Sequence, residues 1–201
     1  MKLYLLRHGE TVLNQKKVYY GSTDCALTAV GEKQARSLRA PLADIPFDVV
    51  WVSPLSRAVK TAKLILGEDE KNLITDERLS EVAFGEWEGK SWQELEKEPL
   101  YQKWCDDWMR TRPPGGESFA DMAQRVSAFY REEFLSFRGE NVLIVSHHAV
   151  LRQLVMLLLD LEEDAFWRFS FAQGAYSVFD IHDGYAVFTG HNLPGCADGQ
   201  S

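Results

Sequence analysis

Short apolar runs alternate with amphipathic helical patterns along most of the chain. Runs typical of β-strands fall at residues 2–6, 48–53, 141–146, 175–181 and 185–189. The first three are rich in valine, isoleucine and leucine and are separated by helical patterns. This arrangement is typical of parallel strands that are covered on both faces. We therefore expect an α/β protein with three layers, α/β/α, in which helices cover both faces of a mainly parallel sheet.

Four helices are predicted from apolar positions spaced by three and four residues. The first follows Thr28, a favourable N-cap, and the second covers about residues 54–66, with Pro54 near its first turn. The third begins at Ser118 in a pattern that resembles a capping box, and the fourth follows His148. The apolar stripes of the first, third and fourth helices are Ala35, Leu38 and Leu42; Phe119, Met122, Val126, Phe129 and Tyr130; and Val150, Leu151, Leu154, Val155 and Leu158.

Residues 77–117 differ from the rest of the chain. They are rich in tryptophan and glutamate, contain two short helical patterns and end in Pro-Pro-Gly-Gly at 113–116. We interpret them as an insertion at about 77–117 that covers the carboxyl edge of the sheet and the active site, within a single domain that spans residues 1–201. The polar residues after Pro194 are expected to be loose.

The composition excludes several classes of protein. With 201 residues, 45% of them hydrophobic, the chain can bury one sizeable core. A formal net charge of −8 argues against nucleic-acid binding and requires any anion site to be built locally from a few arginines. Three scattered cysteines and the lack of a signal sequence favour a cytoplasmic protein. The longest apolar run, residues 154–159, is too short to cross a membrane.

Three of the predicted strands end in residues that can bind an anion. The first ends at Arg7-His8, the second is followed by Arg57, and the third is followed by His147. Ligands of open α/β sheets bind beyond the carboxyl ends of the strands, where helix N-termini add free N–H groups. We therefore expect two histidines and two arginines to converge on one anion site. Each of these residues alone is more often structural or solvated, so the hypothesis depends on the three strand ends together.

Two further interpretations of single residues stay open at this point. Glu81 precedes an apolar and aromatic segment, where a carboxyl can serve as a proton donor; its local sequence equally allows a solvated loop charge. His8, His147 and His148 could hold a metal on ligand type alone. No HExxH motif or cysteine cluster supports a metal, and nearby arginines would repel a cation. We expect no metal and no cofactor.

Taken together, the motifs resemble the histidine phosphatase superfamily, also called phosphoglycerate-mutase-like, over nearly the whole chain. They occur in the family's order: Leu6-Arg7-His8-Gly9-Glu10-Thr11 followed by Asn14, residues 21–24 before Leu27-Thr28, residues 53–58 with Thr61-Ala62, Glu81 before residues 84–89, and Val145-Ser146-His147.

The resemblance implies a role for each residue of the site. His8 would be the nucleophile that becomes phosphohistidine, and Glu81 the proton donor and then the base. The substrate would be a small phosphomonoester. In one position the chain departs from the family, because His148 stands where glycine is common, and we expect it to narrow or repolarise the mouth of the pocket. The residues implied to hold the phosphoryl oxygens are Arg7, Arg57 and His147, assisted by Asn14 and the loop at Gly21.

Within the family, the chain is most similar to the α-ribazole-5′-phosphate phosphatase subfamily, through residues 104–108, 116–119, 173–174, Ser177 and 180–181. This implies hydrolysis of α-ribazole 5′-phosphate in cobalamin nucleotide-loop assembly. A broad-specificity phosphatase and a phosphoglycerate mutase are the alternatives, and the short chain favours hydrolysis. A non-catalytic phosphate-binding module on the same fold is the alternative from another class.

Aromatic residues of the 77–117 segment are candidates for the wall of a pocket that takes a flat base. Tryptophans four residues apart on a helix more often pack that helix onto its domain. We therefore expect only one or two of them at the pocket. The candidates are Phe84, Trp87, Trp92, Trp104 and Trp108.

Overall fold

The structure is a computed structural model, and it describes residues 1–68 and 71–196. The strands in this part of the chain are β1 (Lys2–Arg7), β2 (Val49–Val52), β3 (Leu73–Thr75), β4 (Asn141–Ser146), β5 (Ala175–His182) and β6 (Tyr185–Pro194). They form one sheet in the order β3-β2-β4-β1-β5-β6. The first four strands in this order pair in parallel, whereas β5 pairs antiparallel with β1, and β6 antiparallel with β5.

The expected mainly parallel sheet is confirmed, and all five predicted strands are part of it. The strand that the sequence did not reveal is β3, which is three residues long and lies at the sheet edge. Ile74 of β3 is exposed, so the strand contributes no buried apolar run. At the opposite edge, β6 extends to Pro194, beyond its predicted end near residue 189.

The α-helices of the described residues are α1 (Val12–Lys16), α2 (Ala29–Ser37), α3 (Arg39–Leu42), α4 (Ser56–Leu66), α5 (Trp92–Leu95), α6 (Pro99–Asp106), α7 (Phe119–Phe129) and α8 (His148–Leu158). Short 3-10 segments occur at Glu77–Leu79, Gly85–Trp87 and Glu163–Arg168, and a π-helical turn, Tyr130–Phe134, follows α7. The four predicted helices are confirmed, although the first divides at Leu38 into α2 and α3. Thr28 caps α2, and Ser118 caps α7 in the expected capping box.

Alternate residues of the central strands face two separate cores, which is why helices cover both faces of the sheet. Leu3 and Leu5 of β1 pack in the core formed with α7, α8 and much of the 77–117 segment. Tyr4 and Leu6 pack in the core formed with α2, α3 and α4. The same alternation holds in β2 and β4.

The 77–117 segment is packed mainly through its aromatic side chains. The rings of Trp87, Tyr101 and Trp104 contact one another at centroid distances of 5.3 to 5.9 Å, and all three are buried. Trp108 lies beyond the end of α6 and so is not one helical turn from Trp104 on the same helix. Its ring centroid lies 5.1 Å from that of Phe166. Most of these tryptophans therefore stabilise the fold.

The strand register brings the predicted anion-binding residues to one edge of the sheet. Arg7 of β1 lies opposite Ser146 of β4, and Val52 of β2 lies opposite Val145. The residues that follow these strands are therefore neighbours at the carboxyl edge. Those residues include His8, Ser53 and His147.

Trp87 and Trp92 form a matched pair for testing how the 77–117 segment is held. Trp87 is 0% exposed and Trp92 is 52% exposed. We expect Trp87→Ala to lower the free energy of unfolding by about 3–5 kcal/mol, because it leaves a large cavity in the core. Trp92→Ala should change it by less than about 0.5 kcal/mol. Urea unfolding of both variants checks this. A loss of unfolding free energy in Trp87→Ala as small as that in Trp92→Ala would mean that Trp87 is not part of the core.

Candidate active site

His8 is held in a single neutral tautomer at the end of β1. Its ring is buried, and Nδ1 lies 2.7 Å from the carbonyl oxygen of Gly9. Since a carbonyl can only accept, Nδ1 carries the proton and donates it, which leaves the lone pair on Nε2. The Gly9 backbone is itself fixed, because its N–H donates to Oγ1 of Thr61 at 3.1 Å. Nε2 of His8 is therefore the atom available for nucleophilic attack.

Burial is the main reason why His8 stays neutral. Desolvation, followed by the charges of Arg7 and Arg57, holds the pKa of His8 well below its ordinary value of 6.5. Desolvation, followed by the neighbouring His8 and the charges of Arg57 and Arg7, likewise holds the pKa of His147 well below 6.5; its ring centroid lies 5.0 Å from that of His8. Both imidazoles are therefore uncharged at neutral pH, and the positive charge of the site comes from the two guanidinium groups.

Arg57 is fully buried at the start of α4 and is held by backbone carbonyls. Nη2 donates to the carbonyl of Gly21 at 2.7 Å, and Nη1 donates to that of Thr23 at 3.0 Å. The guanidinium also lies 5.0 Å from the ring centroid of Tyr20. These contacts fix the plane of the guanidinium, while Nε makes no hydrogen bond within the protein.

The loop that holds Arg57 is tied to the 77–117 segment by Glu88. The Glu88 carboxylate accepts from the backbone N–H of Ser22 at 2.8 Å and of Thr23 at 2.6 Å. Burial raises the pKa of Glu88, but hydrogen bonds from the side chains and backbone N–H groups of Thr23 and Ser22 outweigh burial and lower it overall. Gly21 permits the close approach, because a Cβ there would lie 1.7 Å from the carbonyl oxygen of Val82.

Arg7 and Asn14 are oriented by a second segment, residues 171–173. Nη1 of Arg7 donates to the carbonyl of Phe171 at 3.1 Å, and the Gln173 side-chain amide donates to Oδ1 of Asn14 at 2.8 Å. The N–H of Phe171 in turn donates to Nε2 of His148 at 3.3 Å. His148 thus contacts the backbone that holds Arg7.

His147 and Glu81 complete the group of predicted residues. Nε2 of His147 lies 2.7 Å from Oγ of Ser53, and Nδ1 is buried without a hydrogen bond in the protein. The Glu81 carboxylate accepts from the N–H of Val82 at 3.0 Å and from the N–H of Ala149, in the first turn of α8, at 3.3 Å. Glu81 therefore lies across the N-terminus of the helix that follows His147.

A cavity of about 220 Å³ opens between these groups. Five of the seven predicted site residues line it: Arg7, His8, Asn14, Arg57 and Glu81. The other two, Gly21 and His147, are not among the lining residues; Gly21 instead holds Arg57 and His147 packs beside His8. His148, expected at the pocket mouth, does not line the cavity either.

The aromatic wall of the cavity comes mostly from residues that the sequence did not single out. Of the five aromatic candidates in 77–117, Phe84 lines the cavity, in line with the expectation of one or two. Val18, Tyr19 and Tyr20 are the unpredicted lining residues. They lie in an irregular loop after α1, and only the adjacent Tyr-Tyr pair could have signalled them.

The electrostatics of the site suit an anion with two charges. The guanidiniums of Arg7 and Arg57 lie near the two neutral histidines. Among the predicted site residues, the buried side-chain atoms without a hydrogen bond in the protein are Nε of Arg7, Nε of Arg57 and Nδ1 of His147. Unpaired buried donors are costly unless a ligand accepts from them. Within residues 1–68 and 71–196, no group of three histidine, cysteine, aspartate or glutamate side chains is placed to hold a metal ion. No helix in these ranges combines the length and apolar character that crossing a membrane requires.

Comparison with known proteins points to one family. A model described as the histidine phosphatase superfamily (branch 1) matches residues 3–194. The adenosylcobalamin/alpha-ribazole phosphatase of Escherichia coli (strain K12) is 37% identical over 191 residues, 93% of each chain. A 2,3-bisphosphoglycerate-dependent phosphoglycerate mutase of Parvibaculum lavamentivorans is 34% identical over 90% of each chain. The crystal structure of the alpha-ribazole phosphatase from Shigella flexneri superposes with a TM-score of 0.89 at 36% identity, covering 98% of this chain and 100% of that one.

The buried neutral histidines make stability depend on pH. His8 and His147 have pKa values well below 6.5 in the folded protein, and they titrate near 6.5 when unfolded. Protons therefore bind preferentially to the unfolded state below pH 6.5, and each histidine should lower the free energy of unfolding by up to about 1.4 kcal/mol per pH unit there.

Urea unfolding at pH 7.5, 6.5 and 5.5 measures this dependence. We expect little change between the first two values and a clear loss between the last two. His8→Gln removes one titrating group, so its loss between pH 6.5 and 5.5 should be smaller by about 1 kcal/mol. A wild-type stability that is constant down to pH 5.5 would show that these rings are protonated in the folded protein.

Proposed function

The chain belongs to the histidine phosphatase superfamily and is a phosphoric monoester hydrolase, and on this premise we propose that it hydrolyses α-ribazole 5′-phosphate through a phosphohistidine at His8. The observation that carries the mechanism is the fixed tautomer of His8. His8, whose Nε2 carries the lone pair, lines a cavity whose other lining residues include two arginines. Phosphoryl transfer requires little beyond such alignment and neutralisation of charge.

In the first half-reaction, Nε2 of His8 attacks phosphorus while the bond from phosphorus to the ester oxygen breaks. Arg7 and Arg57 donate to the equatorial oxygens, where negative charge is spread in the transition state. The unpaired Nε atoms of both arginines support this role. Protonated Glu81 gives its proton to the departing ester oxygen, so the alcohol leaves uncharged and Glu81 becomes a carboxylate.

In the second half-reaction, water attacks the phosphohistidine and the N–P bond breaks. The Glu81 carboxylate takes a proton from this water, which restores the acid, and His8 is released in its neutral form with inorganic phosphate as product. Ser53 supports His147 as a donor: if its hydroxyl donates to Nε2, Nδ1 of His147 carries the proton and can donate to the phosphoryl group.

The aromatic wall of the cavity supports a substrate with a flat, apolar base. Tyr19 and Phe84 are side by side, with ring centroids 5.0 Å apart, and Tyr20 lies next to Arg57. Stacked aromatic rings contribute about 0.5–1.5 kcal/mol beyond the burial of area. The benzimidazole-type base of α-ribazole 5′-phosphate matches this wall. The three free cysteines support a cytoplasmic location for the reaction.

A phosphoglycerate mutase is the main alternative, and chain length does not decide against it, since the alignment spans 90% of such a relative. The lining of the cavity is more informative. A phosphoglycerate carries a carboxylate that needs its own cationic partner. The cations that line the cavity are Arg7 and Arg57, which the phosphoryl group requires, and the remaining lining includes the aromatic rings of Tyr19, Tyr20 and Phe84. This favours an ester with an apolar leaving group.

Substrate preference tests the proposal most directly. Ribose 5-phosphate is the matched control, because it presents a ribose phosphate without the base. We expect kcat/KM for α-ribazole 5′-phosphate to exceed that for ribose 5-phosphate and 3-phosphoglycerate by at least about tenfold, or 1.4 kcal/mol. Similar values for all three would indicate a broad phosphatase. Preference for phosphoglycerate, with transfer of the phosphoryl group back to product, would establish a mutase.

Phe84 offers a test of the aromatic wall itself. Phe84→Leu keeps an apolar side chain of similar size but removes the ring, so it should lower kcat/KM for α-ribazole 5′-phosphate by about 2–10-fold. Hydrolysis of ribose 5-phosphate should be nearly unchanged. The control is Phe166→Leu, which alters another buried phenylalanine of the same core that does not line the cavity. Parallel losses on both substrates in Phe84→Leu would show that the ring does not contact the base.

A further inference from the structure

An ion pair outside the phosphate cavity is hydrogen-bonded to the loop that carries Glu81. Arg125 of α7 and Glu117 form a bidentate ion pair, in which Nη2 lies 2.6 Å from Oε1 and Nε lies 3.2 Å from Oε2. Both side chains are largely buried, with 22% of each exposed. Neither lines the phosphate cavity; they line a neighbouring cavity that shares Glu81 with it.

Arg125 holds the loop through two backbone carbonyls. Nη1 donates to the carbonyl of Arg78 at 2.7 Å, and Nη2 donates to that of Glu81 itself at 3.2 Å. The guanidinium plane is already fixed by Glu117. Its remaining N–H groups therefore act as a rigid fork on the two carbonyls, a geometry that lysine cannot reproduce.

Glu117 holds the other end of the same loop. Its carboxylate accepts from the N–H of Ala83 at 3.1 Å, and its own N–H donates to the carbonyl of Ala83 at 2.9 Å. Gly116 allows this approach, because a Cβ there would lie 2.4 Å from the Ala83 carbonyl oxygen. Hydrogen bonds thus hold the backbone of the loop on both sides of Glu81.

We propose that Glu117 and Arg125 are positioning residues that orient the carboxyl group of Glu81 for proton donation, an inference that rests on the proposed role of Glu81. The Glu81 carboxylate is oriented by the N–H groups of Val82 and Ala149. The position of the Val82 N–H depends on the backbone of the loop, which Glu117 and Arg125 hold. The two residues therefore act on the Glu81 carboxylate through the backbone. A displacement of about 1 Å at a reacting group can cost on the order of a hundredfold in rate.

The test uses the difference between poor and good leaving groups. An alkyl phosphate such as glycerol phosphate needs a proton on its departing oxygen, whereas p-nitrophenyl phosphate scarcely does. The quantity compared is kcat/KM, which reports the steps up to departure of the alcohol. Arg125→Ala should lower it by about 10–100-fold for the alkyl phosphate and by less than about threefold for p-nitrophenyl phosphate.

Glu81→Gln provides the reference pattern, with an expected loss of about 10²–10⁴ on the alkyl phosphate and a smaller loss on p-nitrophenyl phosphate. Adding Arg125→Ala to Glu81→Gln should cause little further loss, because both changes remove the same protonation. Equal losses on both substrates in Arg125→Ala alone, or full additivity in the double variant, would overturn the proposal. If Glu81→Gln does not lose more kcat/KM on the alkyl phosphate than on p-nitrophenyl phosphate, the proposed role of Glu81 is wrong, and so is the inference that rests on it.

Two further variants separate positioning from folding. Arg112→Ala breaks another ion pair of an arginine with an acidic residue, that of the exposed Arg112 with Asp121 of α7, and should leave both substrates unaffected. Arg125→Lys keeps the charge but not the fork, so it should fold while showing the same leaving-group bias at reduced size. Thermal unfolding of each variant is measured alongside. An Arg125→Lys enzyme with wild-type kinetics on the alkyl phosphate would contradict the positioning role.

Discussion

The hydrogen bond from Nδ1 of His8 to the carbonyl of Gly9 is the constraint on which the proposed chemistry depends. It places the proton on one ring nitrogen and the lone pair on the other. Burial then prevents a second proton from binding, because the charged ring would be desolvated beside two arginines. The sheet supplies the setting, since the parallel pairing of β1 and β4 brings His8 and His147 to the same edge. A surface histidine with the same neighbours in sequence would have neither property.

The two arginines show how the fold keeps positive charge buried without a carboxylate in close hydrogen-bond contact. A carboxylate in direct contact would satisfy the guanidinium but would also compete with a phosphoryl group. Arg57 is instead held by the carbonyls of Gly21 and Thr23, with the nearest oxygen of Asp24 at 3.8 Å, and Arg7 is held by the carbonyl of Phe171. Carbonyl dipoles fix the direction of the N–H groups while leaving the net charge in place. Such preorganisation costs stability in the free enzyme and lowers the barrier when charge develops.

Local sequence predicts the residues that bear the chemistry better than the residues that hold them. Arg7, His8, Arg57 and Glu81 could be identified because they lie at strand ends or within motifs, and the cavity brings them together. The local sequence around Glu88 gives no sign that it holds another loop. Its role is visible only once the chain folds, because the N–H groups that it binds are 65 and 66 residues away.

The supporting contacts escape sequence reasoning for a common physical reason. Glu117, Arg125 and His148 each contact backbone atoms whose positions depend on tertiary packing: the N–H of Ala83, the carbonyl of Arg78 and the N–H of Phe171. No periodicity records such contacts. Amphipathic patterns, by contrast, record which face of an element is buried, so helices on both faces of the sheet could be predicted from them, whereas the division into two cores is visible only in the fold.

Identification of the phosphorylated atom tests the central claim most directly. The enzyme is mixed with phosphorus-labelled substrate, quenched without acid within one turnover, and examined by peptide mass spectrometry and phosphorus NMR. We predict a single phosphoryl group, labile in acid and stable in base, on Nε2 of His8, and no such group in His8→Ala. Label on Nδ1 of His8, on Ser53 or on a carboxylate, or undiminished turnover by His8→Ala, would contradict the account.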